Sequence, residues 1–446
     1  MERNHESELN RGFGIWSSLA LVVGTIIGSG LFFKQGSVLA TAGNTTVALW
    51  AWIAGGILTL TSGMSVAEVG SQMPKTGGIY YYIEKLYGRT AGYLAGWMQV
   101  IFYGPAMMGA ISAYFGVLFV SLFGLPASTS IWYGIAALLC VTVINSIPNH
   151  FSAGFQVITT TIKLLPIAAL IIFGLFFGHH DALGQSVTVM AKGVSAGGGF
   201  GVAVLSTLFA YDGWVTLANI SGEIKNPQKT LPRAIVFGIL IVIVAYVGVS
   251  YGAYRSLDAN QIVDLGENTT LTMATNAFGY WGGRLLSVAI LISILGTLNG
   301  KVVSFPRVLF AMAENGDFPF ANTFSKLSKR SKTPNAAIWL MVAIGILMMF
   351  FTNPDELTNY AVFITFLFYM LVLFGTFIMR RRDPEGSNRT FSMPLYPWIP
   401  IIAILGSLYV EISEVLNDFK GVVISLFIVL LGYPVLKYLQ WSRHKK

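Results

Sequence analysis

Long apolar runs separated by short polar segments dominate the pattern of this 446-residue chain. Because a helix needs about 20 apolar residues to cross a bilayer, each run of that length predicts one span. Twelve such runs are present, at 14–40, 45–70, 79–122, 131–147, 153–178, 197–222, 232–254, 282–313, 336–352, 357–380, 396–417 and 421–440. The third and eighth are long enough to tilt or to extend beyond the bilayer. The pattern predicts an all-α membrane protein.

The basic residues of the connecting segments predict the orientation, because cytoplasmic loops carry an excess of Lys and Arg. With a cytoplasmic N-terminus, 21 of the 28 Lys and Arg residues lie inside and five lie outside. The remaining two, Lys163 and Lys301, fall within spans. Both termini are therefore predicted to be cytoplasmic, as an even number of spans requires.

Composition supports this fold class and limits the partners. The chain is 54% apolar and 11% charged, whereas soluble domains carry about 25% charged residues. Its net charge of +8 comes from basic residues dispersed among short loops, so membrane topology explains the charge and no nucleic-acid partner is expected. The first twelve residues are polar, and no cleavable signal peptide is expected.

Several kinds of chemistry find no support in the sequence. Cys140 is the only cysteine, which rules out an internal disulfide and a cysteine-based metal site. The five histidines lie in termini or loops and form neither a metal set nor a base–nucleophile pair. No GxxxxGK[ST] phosphate loop is present, so ATP-driven pumping is not expected. We therefore expect no enzyme activity, cofactor or metal.

Two spans carry helix-breaking residues at their centres. The first contains "GTIIGSG", residues 24–30, and the sixth contains "FAYDGW", residues 209–214. Glycine and aspartate are poor in helix interiors and good at helix starts. Broken helices in a bilayer are tolerated only against protein or a polar cavity. The sixth span is predicted to break at 210–213, with its second half starting near Trp214.

The two breaks lie five spans apart, which predicts two repeats of five helices each. Because five is odd, the second repeat must cross the membrane in the opposite orientation to the first. Interrupted helices at matching places in two such repeats indicate the substrate site of a transporter. The predicted organisation is a cytoplasmic tail at 1–12, repeats at 13–180 and 195–382, two further helices at 395–441 and a cytoplasmic tail at 442–446. The alternative is that Gly24-x-x-x-Gly28 serves only close helix packing.

A broken helix offers amide donors on one side and carbonyl acceptors on the other. Gly28, Ser29 and Gly30 could donate to a carboxylate, and carbonyls near Ile26, Phe209 and Ala210 could accept from an ammonium. These predicted residues suit a free α-amino acid, which carries both groups on one carbon.

Charged residues within spans are functional candidates. Lys163 lies inside the fifth span, with snorkelling to the cytoplasmic interface as its alternative. Asp212 is expected to cap the second half of the sixth span, or else to place charge near the substrate or carry a proton. Lys301 is expected to snorkel, and Glu68 and Glu223 to pair with basic residues at the inner side.

Four segments resemble signatures of the amino acid–polyamine–organocation transporters. They are "VVGTIIGSGLFF", "AEVGSQMPKTGGIYYYIEKLYG", "FAYDGWVTLANISGEIKNPQKTLPRAI" and "LNGKVVSFPRVLFAMAENGDFP". The resemblance covers nearly the whole chain. Within the family, the chain is most similar to the L-type amino acid transporter branch, close to bacterial alanine–serine–cysteine or serine–threonine exchangers.

The resemblance implies a fold and a site. The fold is the LeuT-like inverted repeat of ten helices, with helices 1 and 6 broken and two helices appended. The substrate site lies at the two breaks, and Phe209 is its gate. Lys163 replaces sodium and holds the first break near Gly24, and Tyr246 is a polar partner of that break. The full set of implied binding residues is Ile26, Ile27, Gly28, Ser29, Gly30, Phe209, Ala210, Tyr211, Asp212 and Gly213, with Tyr103 as a further candidate.

The resemblance also implies sodium-independent exchange of small neutral amino acids across a bacterial plasma membrane. The loop "SLFGLPASTS" lacks the cysteine through which animal members bind a second subunit, so no disulfide-linked partner is expected, and a monomer is one option for the assembly. A proton-coupled symporter that titrates Lys163 or Asp212 is the main alternative; a channel or a transporter-like sensor is the second. The sequence disfavours acidic substrates and leaves the size of the side chain open.

Overall fold

The computed structural model describes residues 11–147, 149–188, 199–351, 354–387 and 389–444, and these are almost entirely helical. In chain order the α-helices are α1 (Ile15–Ile26), α2 (Gly30–Phe33), α3 (Gln35–Ala42), α4 (Thr45–Gln72), α5 (Ile79–Tyr87), α6 (Arg89–Trp97), α7 (Gly104–Phe123), α8 (Ser130–Ser146), α9 (Asn149–Phe177), α10 (Gly199–Ala210), α11 (Thr216–Asn219), α12 (Pro227–Ser256), α13 (Ala259–Leu265), α14 (Thr269–Glu314), α15 (Ala321–Phe324), α16 (Asn335–Met348), α17 (Pro354–Arg382), α18 (Trp398–Asn417), α19 (Phe419–Leu430) and α20 (Gly432–His444). A π-helical segment, Met98–Tyr103, joins α6 to α7. Three 3₁₀ turns cover Ala127–Thr129, Ser221–Glu223 and Gly266–Asn268.

Ten helical stretches are long and apolar enough to cross a membrane, and two shorter apolar helices, α10 and α16, accompany them. Each of the twelve predicted apolar runs overlaps one of these helices. The chain is therefore an all-helical, multi-span membrane protein, as the hydrophobic pattern predicts. In the described part of the chain, extended pairing is limited to the isolated bridges Phe13–Ile224 and Asn44–Ser186.

Two of the predicted spans differ from the structure in their bounds. The third is divided at Gly88, whose φ of 92° ends α5 and lets α6 begin in a new direction. The eighth belongs to the longer helix α14, whose regular path is interrupted at Gly279 (φ 72°). Both positions have a left-handed φ, which glycine adopts without steric cost.

The first break lies between α1 and α2, and the second lies between α10 and α11. Ile27 leaves helical geometry with ψ 92°, and the helix resumes at Gly30. In the second break, residues 211–215 form turns and Gly213 has a φ of 130°. The second helical half begins at Thr216, slightly later than the predicted start near Trp214.

The two breaks contact each other backbone to backbone. A Cβ atom added at Gly30 would lie 2.6 Å from Ala210 Cα, and one added at Gly213 would lie 2.9 Å from the Thr25 carbonyl. Such distances are far inside van der Waals contact. Glycine at these two positions is therefore what allows the broken segments to meet.

Buried ion pairs join helices at the side predicted to be cytoplasmic. Arg380 of α17 makes two hydrogen bonds of 2.7 Å to the Glu68 carboxylate of α4. Arg307 of α14 donates to Glu223 at 2.8 Å, and both side chains are almost fully buried. The predicted pairing of Glu68 and Glu223 with basic residues is confirmed.

Candidate functional site

The first break is held by a lysine from a neighbouring helix. Lys163 of α9 is fully buried, and its ammonium donates to Gly24 O at 2.7 Å, Ile27 O at 2.5 Å and Ser293 O at 3.0 Å. A lysine ammonium has three N–H donors, and all three have an acceptor here. The structure thus brings Lys163 to Gly24, where the sequence analysis expects it, and excludes snorkelling.

Two hydroxyl groups of α14 share the same carbonyls. Ser293 Oγ donates to Ile27 O at 3.0 Å, and Thr297 Oγ1 lies 3.1 Å from Gly24 O and 3.2 Å from Ile27 O. The carbonyl end of α1, which would otherwise lack partners after Ile26, is therefore satisfied from two helices at once. Carbonyl and hydroxyl oxygens of this kind are also the ligands that hard metal cations prefer.

The second break carries its own charge. Asp212 is buried, and its carboxylate accepts from Tyr103 Oη at 2.5 Å and from Lys301 Nζ at 2.5 Å. The Lys301 ammonium also lies over the Tyr103 and Phe305 rings, at 5.4 and 5.5 Å from their centroids. A carboxylate and an ammonium in a buried position are tolerable because they neutralise each other.

Two expectations from the sequence are wrong at this point. Asp212 does not cap the second half of the sixth span, because α11 begins at Thr216 without a side-chain cap and the carboxylate faces Lys301 instead. Lys301 does not snorkel, because it is 1% exposed and its ammonium reaches Asp212 rather than the cytoplasmic interface. The packing keeps both side chains away from water, and pairing them compensates for the hydration that each charge has lost.

Tyr246 of α12 connects the two breaks. Its hydroxyl is within hydrogen-bond distance of Ile26 O at 3.0 Å and of Ala210 O at 2.8 Å. One hydroxyl proton can serve only one of these carbonyls at a time. The side chain nevertheless fixes the end of α1 against the end of α10.

A small cavity lies between the breaks. Its walls are formed by Thr25, Ile26, Gly28, Ser29, Gly30, Met107, Ile111, Phe209, Ala210, Asp212, Thr297 and Lys301. Its volume is about 20 Å³, slightly more than the roughly 10–15 Å³ that one water molecule requires. An amino acid can therefore enter only when a wall of the cavity moves.

Seven of the ten predicted binding residues line this cavity, and three do not. Ile27 is fully buried, and its carbonyl is taken by Lys163, Ser293 and Thr297. Tyr211 points away, and its hydroxyl donates to Trp52 O at 3.1 Å. Gly213 packs on the Thr25 backbone. These three residues shape the breaks from behind the cavity instead of facing it.

The amide groups of the first break face the cavity unpaired. Within the described chain, no acceptor takes the N–H groups of Gly28, Ser29 or Gly30. The Ser29 hydroxyl likewise has no hydrogen-bond partner among the described residues. Buried backbone donors are nearly always paired in proteins, so this set of donors indicates the binding position of an acceptor group.

Phe209 closes one side of the cavity within an aromatic group. Its ring lies 6.4 Å from the Tyr114 ring, which stacks on Phe33 at 5.6 Å. The Lys34 ammonium lies over the Phe209 ring at 5.3 Å from the centroid. Phe209 is 8% exposed and links the cavity that it lines to this aromatic group.

The sequence analysis missed Ser293, Thr297 and the role of Lys301. These three residues are spaced by four, which places them along one face of α14. Two hydroxyls and a lysine on one stripe of an apolar span are a detectable signal. The opposite charge of Asp212, also inside an apolar run, supplies the matching partner.

Comparisons with known proteins identify the family of this chain. The family model described as amino acid permease matches residues 13–432. The chain belongs to the amino acid permease family. The serine/threonine exchanger SteT of Bacillus subtilis (strain 168) is 46% identical to it over 433 residues, which is 96% of this chain and 97% of that protein. The b(0,+)-type amino acid transporter 1 of Mus musculus is 28% identical over 92% of this chain and 84% of its own length.

The Asc-type amino acid transporter 1 of Mus musculus is a third relative, 26% identical over 96% of this chain and 81% of its own length. This amino acid permease is a transporter and not an enzyme, in agreement with the sequence analysis. The predicted resemblance to the amino acid–polyamine–organocation transporters is confirmed.

Proposed function

We propose that this permease exchanges small neutral L-amino acids, such as serine, threonine, alanine or cysteine, by a sodium-independent antiport mechanism with alternating access. The observation that carries the proposal is the meeting of two broken helices at one cavity, with unpaired amides on one wall and a neutralised ion pair on another. The similarity to a protein named as a serine/threonine exchanger supports exchange and the substrate class.

In the proposed pose, the substrate carboxylate accepts from the amides of Gly28, Ser29 and Gly30 and from the Ser29 hydroxyl. The substrate ammonium donates to backbone carbonyls at the ends of α1 and α10, near Ile26, Phe209 and Ala210. The oxygens of Ile26 and Ala210 already contact Tyr246, but each carbonyl oxygen has two lone pairs. Both charged groups of an α-amino acid then find partners within one small cavity.

Two features favour small neutral side chains. Asp212 and Lys301 cancel each other's charge, so neither a cationic nor an anionic side chain finds a free counter-charge there. Met107, Ile111 and Phe209 bound the space left for the side chain. A long side chain would have to displace all three.

Lys163 supports sodium independence in this proposal. Its ammonium occupies three carbonyl oxygens that a sodium ion could otherwise use, and the Ser293 and Thr297 hydroxyls donate to two of the same carbonyls. Because the cation is covalently part of α9, the first break stays in shape without a dissolved ion. Gly24 and Lys163 act together in this role, and Phe209 acts as the gate.

The fold and location belong to the same proposal. We infer twelve membrane crossings arranged as a LeuT-like five-plus-five inverted repeat, with α18 and the α19–α20 pair appended. The family assignment and the equivalent positions of the two breaks support this arrangement. The proposed location is a bacterial plasma membrane, with both termini cytoplasmic and without a disulfide-linked subunit.

One observation favours a second candidate function, proton-coupled symport. Asp212 and Lys301 line the cavity as a hydrogen-bonded pair of titratable side chains, and Tyr103 donates to Asp212 from behind it. Such a group could exchange a proton with the substrate site. Exchange is preferred because the family relatives include a named exchanger and because the pair is already neutral as a unit.

Counterflow in proteoliposomes separates the two functions. We expect labelled L-serine to enter vesicles loaded with unlabelled serine and not empty vesicles, with or without a pH gradient. Uptake into empty vesicles driven by a pH gradient would contradict antiport. Unlabelled serine should compete with the label, whereas L-serinamide and ethanolamine should not, because neither offers a carboxylate to the Gly28–Gly30 amides. Equal competition by serinamide would contradict the proposed pose.

A further inference from the structure

A second, larger cavity lies on the surface of the bundle, between α17 and α18. It has a volume of about 570 Å³ and is lined by apolar side chains of both helices together with Tyr87 at the end of α5. The Tyr87 hydroxyl donates to Leu371 O at 2.6 Å, so the one polar group of the lining is already satisfied. We call this cavity the α17–α18 groove; its other walls include Phe374, Phe377, Ile401 and Leu405.

The groove leads to a cationic residue. Phe374, Phe377 and Ile378 line it from α17, and Arg381 follows at spacings of seven, four and three. Residues spaced in this way share one face of a helix, so the groove face of α17 ends at Arg381. The distance from Phe374 to Arg381 along the axis is roughly 10 Å at about 1.5 Å per residue, within the hydrocarbon half-thickness of about 15 Å.

Arg381 differs from its neighbour Arg380 in what it contacts. Arg380 is committed to Glu68 and stacks over the Tyr396 ring at 3.9 Å. Arg381 is exposed, and among the described residues no acid lies within ion-pair distance of it. The groove therefore has an unpaired cation at its end, available to a ligand from outside the protein.

An exposed aromatic side chain marks the level of the membrane surface. Trp398, one turn before Ile401 on α18, is 65% exposed. Trp and Tyr concentrate at the membrane–water interface. The order along the groove is thus apolar walls in the hydrocarbon region, a tryptophan at the interface and an arginine beside the headgroups.

We propose that the α17–α18 groove binds an acyl chain of an anionic phospholipid, whose phosphate pairs with Arg381. The lipid comes from the leaflet at the basic end of α17, which is the cytoplasmic leaflet in the orientation proposed above. Charge complementarity selects this occupant: the groove suits an acyl chain, and a guanidinium pairs with a phosphate through paired N–H donors. Basic sites between spanning helices on this side are suited to anionic headgroups.

The test compares lipid retention in matched variants. The protein is purified from nanodiscs that contain equal amounts of phosphatidylglycerol and phosphatidylcholine, and retained lipid is counted by native mass spectrometry. We expect the unmodified protein to retain phosphatidylglycerol in preference to phosphatidylcholine. Arg381→Gln should weaken that retention roughly fivefold, the effect of one basic residue near an anionic membrane. Arg382→Gln removes the same charge at the edge of the groove face, four residues from Ile378 but five from Phe377, and should weaken retention clearly less than Arg381→Gln does.

A second pair of variants tests the acyl-chain half of the groove. Leu405→Trp fills the groove and should lower retention of phosphatidylglycerol, whereas Leu416→Trp, at an 83% exposed position near the opposite end of the same helix, should not. Serine counterflow by each variant reports that it is folded. Equal effects of Arg381→Gln and Arg382→Gln, or equal retention of both lipids by the unmodified protein, would overturn the proposal in favour of ordinary annular contact.

Discussion

The two helix breaks around the cavity are built differently. At the first, between α1 and α2, the side chains that support the backbone come from other helices: Lys163, Ser293 and Thr297 all reach the carbonyls of Gly24 or Ile27. At the second, between α10 and α11, the break supplies its own charged residue, Asp212, which recruits Lys301.

This difference assigns separate tasks to the two sides of the cavity. The first break has its acceptors occupied and its donors unpaired, which is the arrangement that the proposed carboxylate site requires. The second break sets the net charge of the cavity through one ion pair. In the proposed function, recognition of the amino-acid backbone and exclusion of charged side chains therefore depend on different residues, and mutations can disrupt them separately.

The largest expected effect follows from removing half of the ion pair. Asp212→Asn leaves the Lys301 ammonium buried without its carboxylate, and an uncompensated buried charge costs about 3–5 kcal/mol of stability. The double variant Asp212→Asn with Lys301→Met removes both charges and should recover most of that stability. Thermal unfolding of the purified proteins measures both. A double variant no more stable than Asp212→Asn alone would contradict the pairing.

The next largest effect is expected from a steric clash between the two breaks. In Gly30→Ala the new methyl group lies 2.6 Å from Ala210 Cα, so the backbone of one break must move. A displacement near 1 Å in a binding site can cost about 100-fold in rate, and we expect serine exchange to fall by about that factor. Gly154→Ala is the matched control, because nothing lies within 4 Å of its new methyl group. Similar activity of both variants would show that the close contact is not required.

Replacing Lys163, the α9 lysine that contacts the first break, tests whether its ammonium supports that break. Lys163→Met keeps the length of the side chain but removes three hydrogen bonds to carbonyls. If the net loss is about 2 kcal/mol, within the range for a charged donor, exchange falls roughly 30-fold. Ser293→Ala should cost much less, because Lys163 and Thr297 still serve Ile27 O. Equal losses in the two variants would argue against a special role of the ammonium.

The smallest effect is expected where the two breaks are joined. Tyr246→Phe removes the hydroxyl shared by Ile26 O and Ala210 O, and a neutral hydrogen bond of about 1 kcal/mol corresponds to roughly a fivefold weaker apparent affinity for serine. Tyr211→Phe is the control, since its hydroxyl donates to Trp52 O behind the cavity. Concentration dependence of counterflow measures both, and a larger effect of the control would contradict the assignment.

The all-helical multi-span fold, the two breaks and the contact of Lys163 with Gly24 could be predicted from the sequence. The length of each apolar run predicts a span. Gly28 and Gly213 lie in the middle of such runs and indicate the breaks, because glycine is unfavourable in a helix interior. A lysine deep in an apolar run has few possible roles, and the family resemblance indicates the partner. Local composition and resemblance together were sufficient for this part of the site.

The Asp212–Lys301 pair could not be predicted in the same way. The two residues are 89 positions apart in the chain, and each had a satisfactory local explanation, a helix cap for one and snorkelling for the other. Ile27 and Tyr211 were likewise expected to face the substrate, and they do not. The sequence locates a helix break, but it does not show which way the side chains at the break point. Side-chain direction at a non-helical segment depends on packing from distant helices, here α4, α9 and α14.

The central claim is that a fixed ammonium, that of Lys163, supports a preformed carboxylate site without sodium. Its most direct test is the initial rate of serine counterflow into serine-loaded proteoliposomes, measured in a sodium medium and in a medium where choline replaces sodium. The account predicts the same rate in both media. A rate that rises with sodium concentration would contradict it.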